Sequence, residues 1–116
     1  MNISSATNIA LTGMHHQTRR MNASASNVAN IETDEYRAVR AEARTTPEGG
    51  VTTSIRETDD PSPVVAEADG TLRTASNTNL AAERVAQISA THAFAANVAV
   101  ARTADEMQES LLDLTA

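Results

Sequence analysis

Each end of this 116-residue chain carries a long apolar pattern with steps of three and four residues, and the stretch between the ends carries none. Steps of three and four put a stripe of side chains on one face of a helix, the spacing of a heptad seam. A chain with a long helix at each end and a short, different middle is built to pack against copies or relatives of itself. It is poorly suited to enclosing a substrate.

Residues 1–31 read as the first helix. Thr7, Leu11, Met14, Thr18, Met21, Ala25 and Val28 form its seam, and no proline interrupts it. Gly13 lies inside, at a cost of about 1 kcal/mol relative to Ala, and it would allow a close approach of backbones. Residues 76–116 read as a longer helix, with Asn77 or Asn79 as its N-cap. Its seam runs Ala86, Ala90, Ala93, Asn97, Val100, Ala104, Met107, Leu111 and Leu114. Asn97 is a polar seam position of the kind that fixes register at some cost in stability.

A second apolar set on this helix, Val85, Ile88, Phe94, Ala95, Val98 and Ala101, falls off the seam. A helix apolar on more than one face is covered on more than one side. A monomer of this size has too few elements to cover it, so the pattern predicts assembly. Composition agrees. Tyr36 and Phe94 are the only aromatics, alanine supplies much of the apolar content, and there is no cysteine. Small domains bury little surface, and this one has no disulfide to compensate.

Residues 32–75 form the middle. Pro47-Glu-Gly-Gly50 reads as a turn, and Val51, Thr53 and Ile55 alternate with polar residues as in a short strand. Tyr36–Ala43 is the candidate partner strand, making a hairpin, although that stretch is also a fair helix. Pro61 and Pro63 break what precedes them, and Asp69-Gly70 marks a second turn. Two strands alone are marginal in water, so the middle must lean on the helices or on neighbours.

Net charge is −6 with no lysine, and residues 1–31 hold two arginines and no acid. Arg19-Arg20 is too small a patch for a nucleic-acid footprint. No apolar run is long enough to span a bilayer, and the first residues lack the charged and apolar regions of a secretory signal. Cysteine absence suits either the cytoplasm or an exported protein without disulfides.

No catalytic constellation is present, so no enzyme, cofactor or small-molecule substrate is expected. His15, His16 and His92 are the only histidines, and adjacent helical residues point about 100° apart, which is poor metal geometry. Glu57, Asp59 and Asp60 lack the glycine and bidentate glutamate of a calcium loop. Glu106, Glu109 and Asp113 fall in the last turns of the second helix, where the macrodipole disfavours negative charge. They are expected to face cations of a neighbour, with Arg19 and Arg20 as candidates, or simply to be solvated.

Ala25-Ser-Asn-Val-Ala-Asn-Ile-Glu-Thr-Asp-Glu-Tyr-Arg37 resembles the N-terminal signature of bacterial flagellar rod and hook proteins. Asn27, Ala29, Asn30, Thr33, Tyr36 and Arg37 match it; the family's usual Gly before the aromatic is Glu35 here. Asn77-Thr-Asn-Leu-Ala-Ala-Glu-Arg-Val85 is similar to the family's second motif, with Arg84 in place of Met. Phe94-Ala-Ala-Asn97 and Thr103-Ala-Asp-Glu-Met107 extend that likeness. The short middle most resembles the proximal, FlgC-type members.

The resemblance implies a mainly α fold: an antiparallel coiled coil of the N- and C-terminal helices with a small β-containing middle. It implies a structural subunit of the basal-body proximal rod, assembled helically into the drive shaft that crosses the periplasm. Partners would be copies of itself, homologous rod proteins, and the MS-ring and export-gate adaptor proteins at the rod base. Export would run through the flagellar type III apparatus without a cleaved signal peptide. On this reading Leu11, Met14, Met21 and Val28 pack against Val100, Met107, Leu111 and Leu114, within and between subunits. Asn30 would end the first helix in a left-handed conformation, and Asn27 would make an intersubunit hydrogen bond. The rival class is a coiled-coil adaptor or export chaperone.

Overall fold

The computed structural model describes residues 2–115, so Met1 and Ala116, the outermost residues of the two expected helical segments, lie outside the described residues. The elements are α1 (Ile3–Ala29), β1 (Val39–Thr45), β2 (Val51–Glu57), β3 (Val64–Ala66), β4 (Leu72–Thr74) and α2 (Leu80–Thr115). They make an elongated body of 79 × 25 × 14 Å.

Both helices begin on asparagine. Asn2 Oδ1 accepts from the Ser5 amide at 2.7 Å. Asn79 Oδ1 accepts from the Ala82 amide at 3.1 Å, and its carbonyl takes the Glu83 amide at 2.9 Å. Each satisfies amides that the first turn leaves unpaired. Asn79 is therefore the cap of α2, and Asn77 has a different task. α1 ends at Asn30 with φ −105° and ψ 17°, not in the left-handed region expected for it. Its side-chain amide donates to the Ser26 carbonyl at 2.9 Å, which satisfies the helix end without a left-handed residue.

The two helices lie side by side. Gly13 meets Asn97, Ser24 meets Gln87 and Glu83, and Asn27 meets Glu83. Residue numbers thus rise along one helix as they fall along the other. Gly13, Ser24 and Asn27 each stand one residue before a member of the stripe expected from sequence, namely Met14, Ala25 and Val28. One residue is a turn of about 100°. Ala10 is 2% exposed, whereas its neighbour Leu11 is 47% exposed. The face of α1 turned to α2 is therefore the small-residue face, because small side chains let the backbones approach. The larger Leu and Met side chains stand at the flank or outside.

The buried set reflects this. It comprises Ala10, Ala23, Ala38, Ala90 and Ala104 with Ser24, Asn27 and Ser76, and contains no large apolar side chain. Full burial of a Leu contributes about 1.5–3 kcal/mol, and an Ala contributes far less. Hydrophobic burial within one molecule is correspondingly modest. Ala104 is the last buried residue of α2, and everything from Asp105 to Thr115 is exposed. The offset of the facing pairs sets Ile3 opposite the turn around Met107, so α2 overhangs the start of α1.

Residues 39–45 are strand, which settles the choice between strand and helix. β1 pairs antiparallel with β2, from Val39↔Glu57 to Thr45↔Val51. Val39, Ala41, Val51 and Thr53 are half-buried, while Arg40, Glu42, Thr52 and Ser54 face water. The hairpin lies along α1. Thr12 Oγ1 accepts from the Val51 amide at 3.1 Å, and His16 Nδ1 stands 3.0 Å from Thr53 Oγ1. At its tip Gly49 and Gly50 have φ of 87° and 85°. A Cβ on Gly50 would lie 2.6 Å from Thr12 Oγ1, so the tip sits directly on the helix.

A second antiparallel pair, β3 with β4, surrounds the Asp69-Gly70 turn. The sequence marks this turn but not its three-residue strands, which are too short to show alternation. Arg73 of β4 ties the pair down by ion pairs to Glu67 and Asp34.

Candidate functional site

A buried polar cluster lies where α1 ends, β1 begins and α2 starts. At its centre is Asn27, 1% exposed. Its Nδ2 donates to the Val39 carbonyl and to Glu83 Oε1, both at 2.8 Å. Its Oδ1 accepts from the Val39 amide at 2.8 Å and from the Tyr36 hydroxyl at 3.1 Å. An asparagine amide has two donors and two acceptor sites, and all four are used. One side chain thereby joins the first helix, the start of the hairpin and the second helix. The intersubunit role expected for Asn27 is replaced by this intramolecular one, because no hydrogen-bonding capacity is left over.

Ser24, 3% exposed, adds a second tie one turn earlier. Its hydroxyl donates to the Glu83 carbonyl at 3.2 Å and accepts from Gln87 Nε2 at 3.2 Å. Asn77 makes a parallel clamp on the approach to α2. Its Oδ1 takes the Ala38 amide at 2.6 Å, and its Nδ2 donates to Thr58 Oγ1 at 3.2 Å and to the Asp60 carbonyl at 2.9 Å.

The remaining motif residues sort by position. Thr33 Oγ1 donates to Asn30 Oδ1 at 3.1 Å, closing the turn after α1. Glu35 adopts φ 58°, so the turn that usually carries Gly is made here by a glutamate. Tyr36 delivers its hydroxyl to Asn27, and Arg37 donates to the Thr58 carbonyl at 2.7 Å beside an exposed ion pair with Glu57. Nothing in the structure explains Ala29, which is exposed.

The expected interface residues divide sharply. Ala90 and Ala104 are buried within the chain, and Asn97 lies against Gly13. Met14, Met21, Val28, Ala86 and Ala93 are half-buried. Ala25, Leu11, Val100, Met107, Leu111 and Leu114 are exposed. The apolar residues off the seam behave alike: Val85, Ile88 and Phe94 are 67%, 48% and 40% exposed. Exposed apolar side chains on more than one side of α2 therefore have no cover among the described residues, and exposed apolar area marks interaction surfaces.

Burial lowers the pKa of His16, and the nearby Arg20 charge lowers it further. Among the described residues no group of three His, Cys, Asp or Glu side chains is placed to hold a metal ion. Among the described residues no helix is long and apolar enough to cross a membrane.

Residues 68–114 match the family model described as "Flagellar basal body rod FlgEFG protein C-terminal". The matched segment runs from the Asp69-Gly70 turn through nearly all of α2. It thus contains the Asn77 clamp, Glu83 and the exposed apolar side chains of α2. The match makes this segment similar to the C-terminal region of flagellar basal-body rod proteins. No curated protein matches the chain.

Sequence reasoning missed Glu83, Ser24 and the clamp role of Asn77. Asn27 and Asn77 each fall in a quoted motif, and a polar residue repeated in such a motif beside small residues was the available signal.

Proposed function

We propose that this chain is a structural, non-catalytic subunit of the proximal rod of the bacterial flagellum, exported by the flagellar type III apparatus without a cleaved signal peptide. Subunits add helically, with paired terminal helices forming an antiparallel coiled-coil layer, and the resulting shaft transmits torque across the periplasm. The observation that carries this reading is that α2 leaves apolar side chains exposed inside the segment matching the rod-protein family. Heterologous contacts that do not close into a ring generate a helix, and many modest contacts in parallel suit a shaft under torsion. The small middle, two hairpins and their links, supports a place near the rod base, where long inserted domains are absent.

The decisive measurement is electron microscopy of basal bodies from a deletion strain. Rods missing or stalled at the base are expected; intact rods sink the proposal. Leu111→Asp should abolish motility, since Leu111 is 52% exposed and has no task inside the chain. The rival adaptor or chaperone would be a stable helical dimer at low concentration. A rod subunit should instead gain helicity and protease resistance as it assembles.

A further inference from the structure

We infer that the free edge of β1 receives an extended, acidic segment of a different polypeptide, which adds to the hairpin as a third strand. Such a contact is separate from the apolar contacts of the rod reading above.

The phase of the hairpin ladder leaves this edge open. The Thr58 amide donates to the Ala38 carbonyl at 2.8 Å, and the Thr46 amide donates to the Gly50 carbonyl at 3.2 Å. Backbone groups alternate between the two sides of a strand in an antiparallel pair. Arg40, Glu42 and Arg44 therefore direct their amides and carbonyls to β2, while Val39, Ala41, Ala43 and Thr45 direct theirs away from it. At Val39 both are taken by the Asn27 side chain, which stands where a neighbouring strand would. Beyond it, the outward groups of Ala41, Ala43 and Thr45 have no hydrogen-bond partner among the described residues. A row of unpaired backbone groups is a template for another strand, and strand addition to such an edge is a recurrent mode of peptide recognition.

The space beside the edge suits one strand. A cavity of about 310 Å³ lies between Val39, Arg40 and Ala41 on one side and Ala82 and Ala86 of α2 on the other, with Ala23 of α1 between them. α2 does not come close enough to β1 to cover it. The cavity's other charged neighbours, Arg20 and Glu83, are each engaged, with Gln17 and Asn27. Side chains of an added strand alternate as those of β1 do. One set lies over the cavity, where three alanines leave room for apolar residues. The other set lies on the outer face, beside Arg40, Glu42 and Arg44.

That outer face selects acids. Arg40 stands directly opposite Arg56 in the ladder, and like charges so placed repel. Glu42 is already paired with Arg56 at 3.3 Å. Neither Arg40 nor Arg44 forms an ion pair among the described residues. Two carboxylates four residues apart on the incoming strand would meet both arginines. This chain's own acidic stretches do not fit the edge. Residues 32–35 and 67–69 lie in turns, and residues 105–113 lie in α2. Residues 58–63 carry two prolines, which lack the amide a ladder needs. The partner is therefore a different chain.

Backbone amide exchange in the full chain tests this, with the acetylated and amidated heptapeptide Val-Glu-Val-Thr-Val-Glu-Val as probe. The Arg44 amide, which faces β2, should exchange slowly throughout and so reports an intact hairpin. The Ala43 and Thr45 amides should exchange fast in the free chain and at least tenfold more slowly with the peptide. Ala43→Pro removes only an outward amide, which an edge strand tolerates. Arg44 should stay protected in that variant, and the peptide should no longer protect Thr45. Arg40→Glu with Arg44→Glu should weaken binding at least tenfold, and replacing both glutamates of the peptide by lysine should restore it. Equal binding of the two peptides to the native chain overturns the acidic partner. Protection of Ala43 without peptide that rises with protein concentration, at constant Arg44 protection, assigns the edge to a second copy and overturns the different chain. An Ala43 amide that the acidic peptide leaves unprotected, or a fast Arg44 amide, overturns the docking edge itself. None of these outcomes bears on the rod reading, which the basal-body micrographs test.

Discussion

Gly13 of α1 and Asn97 of α2 are in direct contact: a Cβ on Gly13 would stand 2.5 Å from Asn97 Oδ1. The Asn97 amide is itself anchored to the Ala93 carbonyl at 2.9 Å, so it has little room to retreat. This is the point at which the register of the two helices is held.

Gly13→Ala should therefore destabilise the chain, although Ala is the better helix former. The gain in helix propensity is about 1 kcal/mol, and overpacking typically costs about 1–3 kcal/mol. A net loss of about 1 kcal/mol is expected. With Asn97→Ala already present, the same change should instead stabilise by about 1 kcal/mol. Thermal unfolding followed by circular dichroism, at assembling concentration, reads this cycle. Additive effects of the two substitutions would count against the contact.

Asn27→Ala should be the more damaging single change. It leaves the Val39 amide and carbonyl, the Tyr36 hydroxyl and the Glu83 carboxylate without their shared partner. A buried polar group left unsatisfied costs about 1–3 kcal/mol, and several are left here. A loss of about 3 kcal/mol is expected, against little change for Leu111→Ala in a dilute monomer. Asn27→Asp keeps the shape but loses both donors and sets a second carboxylate against Glu83. Its defect should ease as pH falls into the carboxylate range, a trend visible in melting temperature against pH.

Glu35 holds a left-handed conformation with φ 58° while its side chain is exposed. That conformation costs an L-residue about 1–2 kcal/mol, offset in part by the entropy glycine loses on folding. Glu35→Gly should raise stability by about 0.5–1 kcal/mol. Glu35→Val should lower it, because a β-branched residue tolerates positive φ least. Melting temperatures of the two variants moving in the same direction would contradict this.

His16 introduces a pH dependence. Burial first, then the Arg20 charge, hold its folded pKa below the ordinary value. The unfolded chain therefore binds more protons between the two values, and stability rises with pH across that window. Stability is expected to be complete above the ordinary histidine value and to fall as pH drops through it toward the lower folded value. His16→Gln should flatten this part of the profile. An unchanged slope in that variant would assign it to other groups.

The sequence by itself determined the helices at each end, the hairpin turn at Pro47–Gly50 and a cap for α2 at one of two asparagines, Asn77 or Asn79. These are local matters of periodicity, glycine and capping chemistry, and each is read within a few residues. It also showed more apolar surface than one small chain can cover. It did not determine which face of α1 meets α2. The eye follows Leu11, Met14 and Met21, whereas close packing selects the small residues one position earlier. Nor could it place Asn27, whose four partners come from Tyr36, Val39 and Glu83, on three separate segments. Strands β3 and β4 are too short to carry a pattern, and Arg73 ties them both to nearby Glu67 and to Asp34, which is distant in sequence. Only the tertiary structure decides such matters, because they depend on which surfaces approach closely enough to exclude water and satisfy every polar group that is then enclosed.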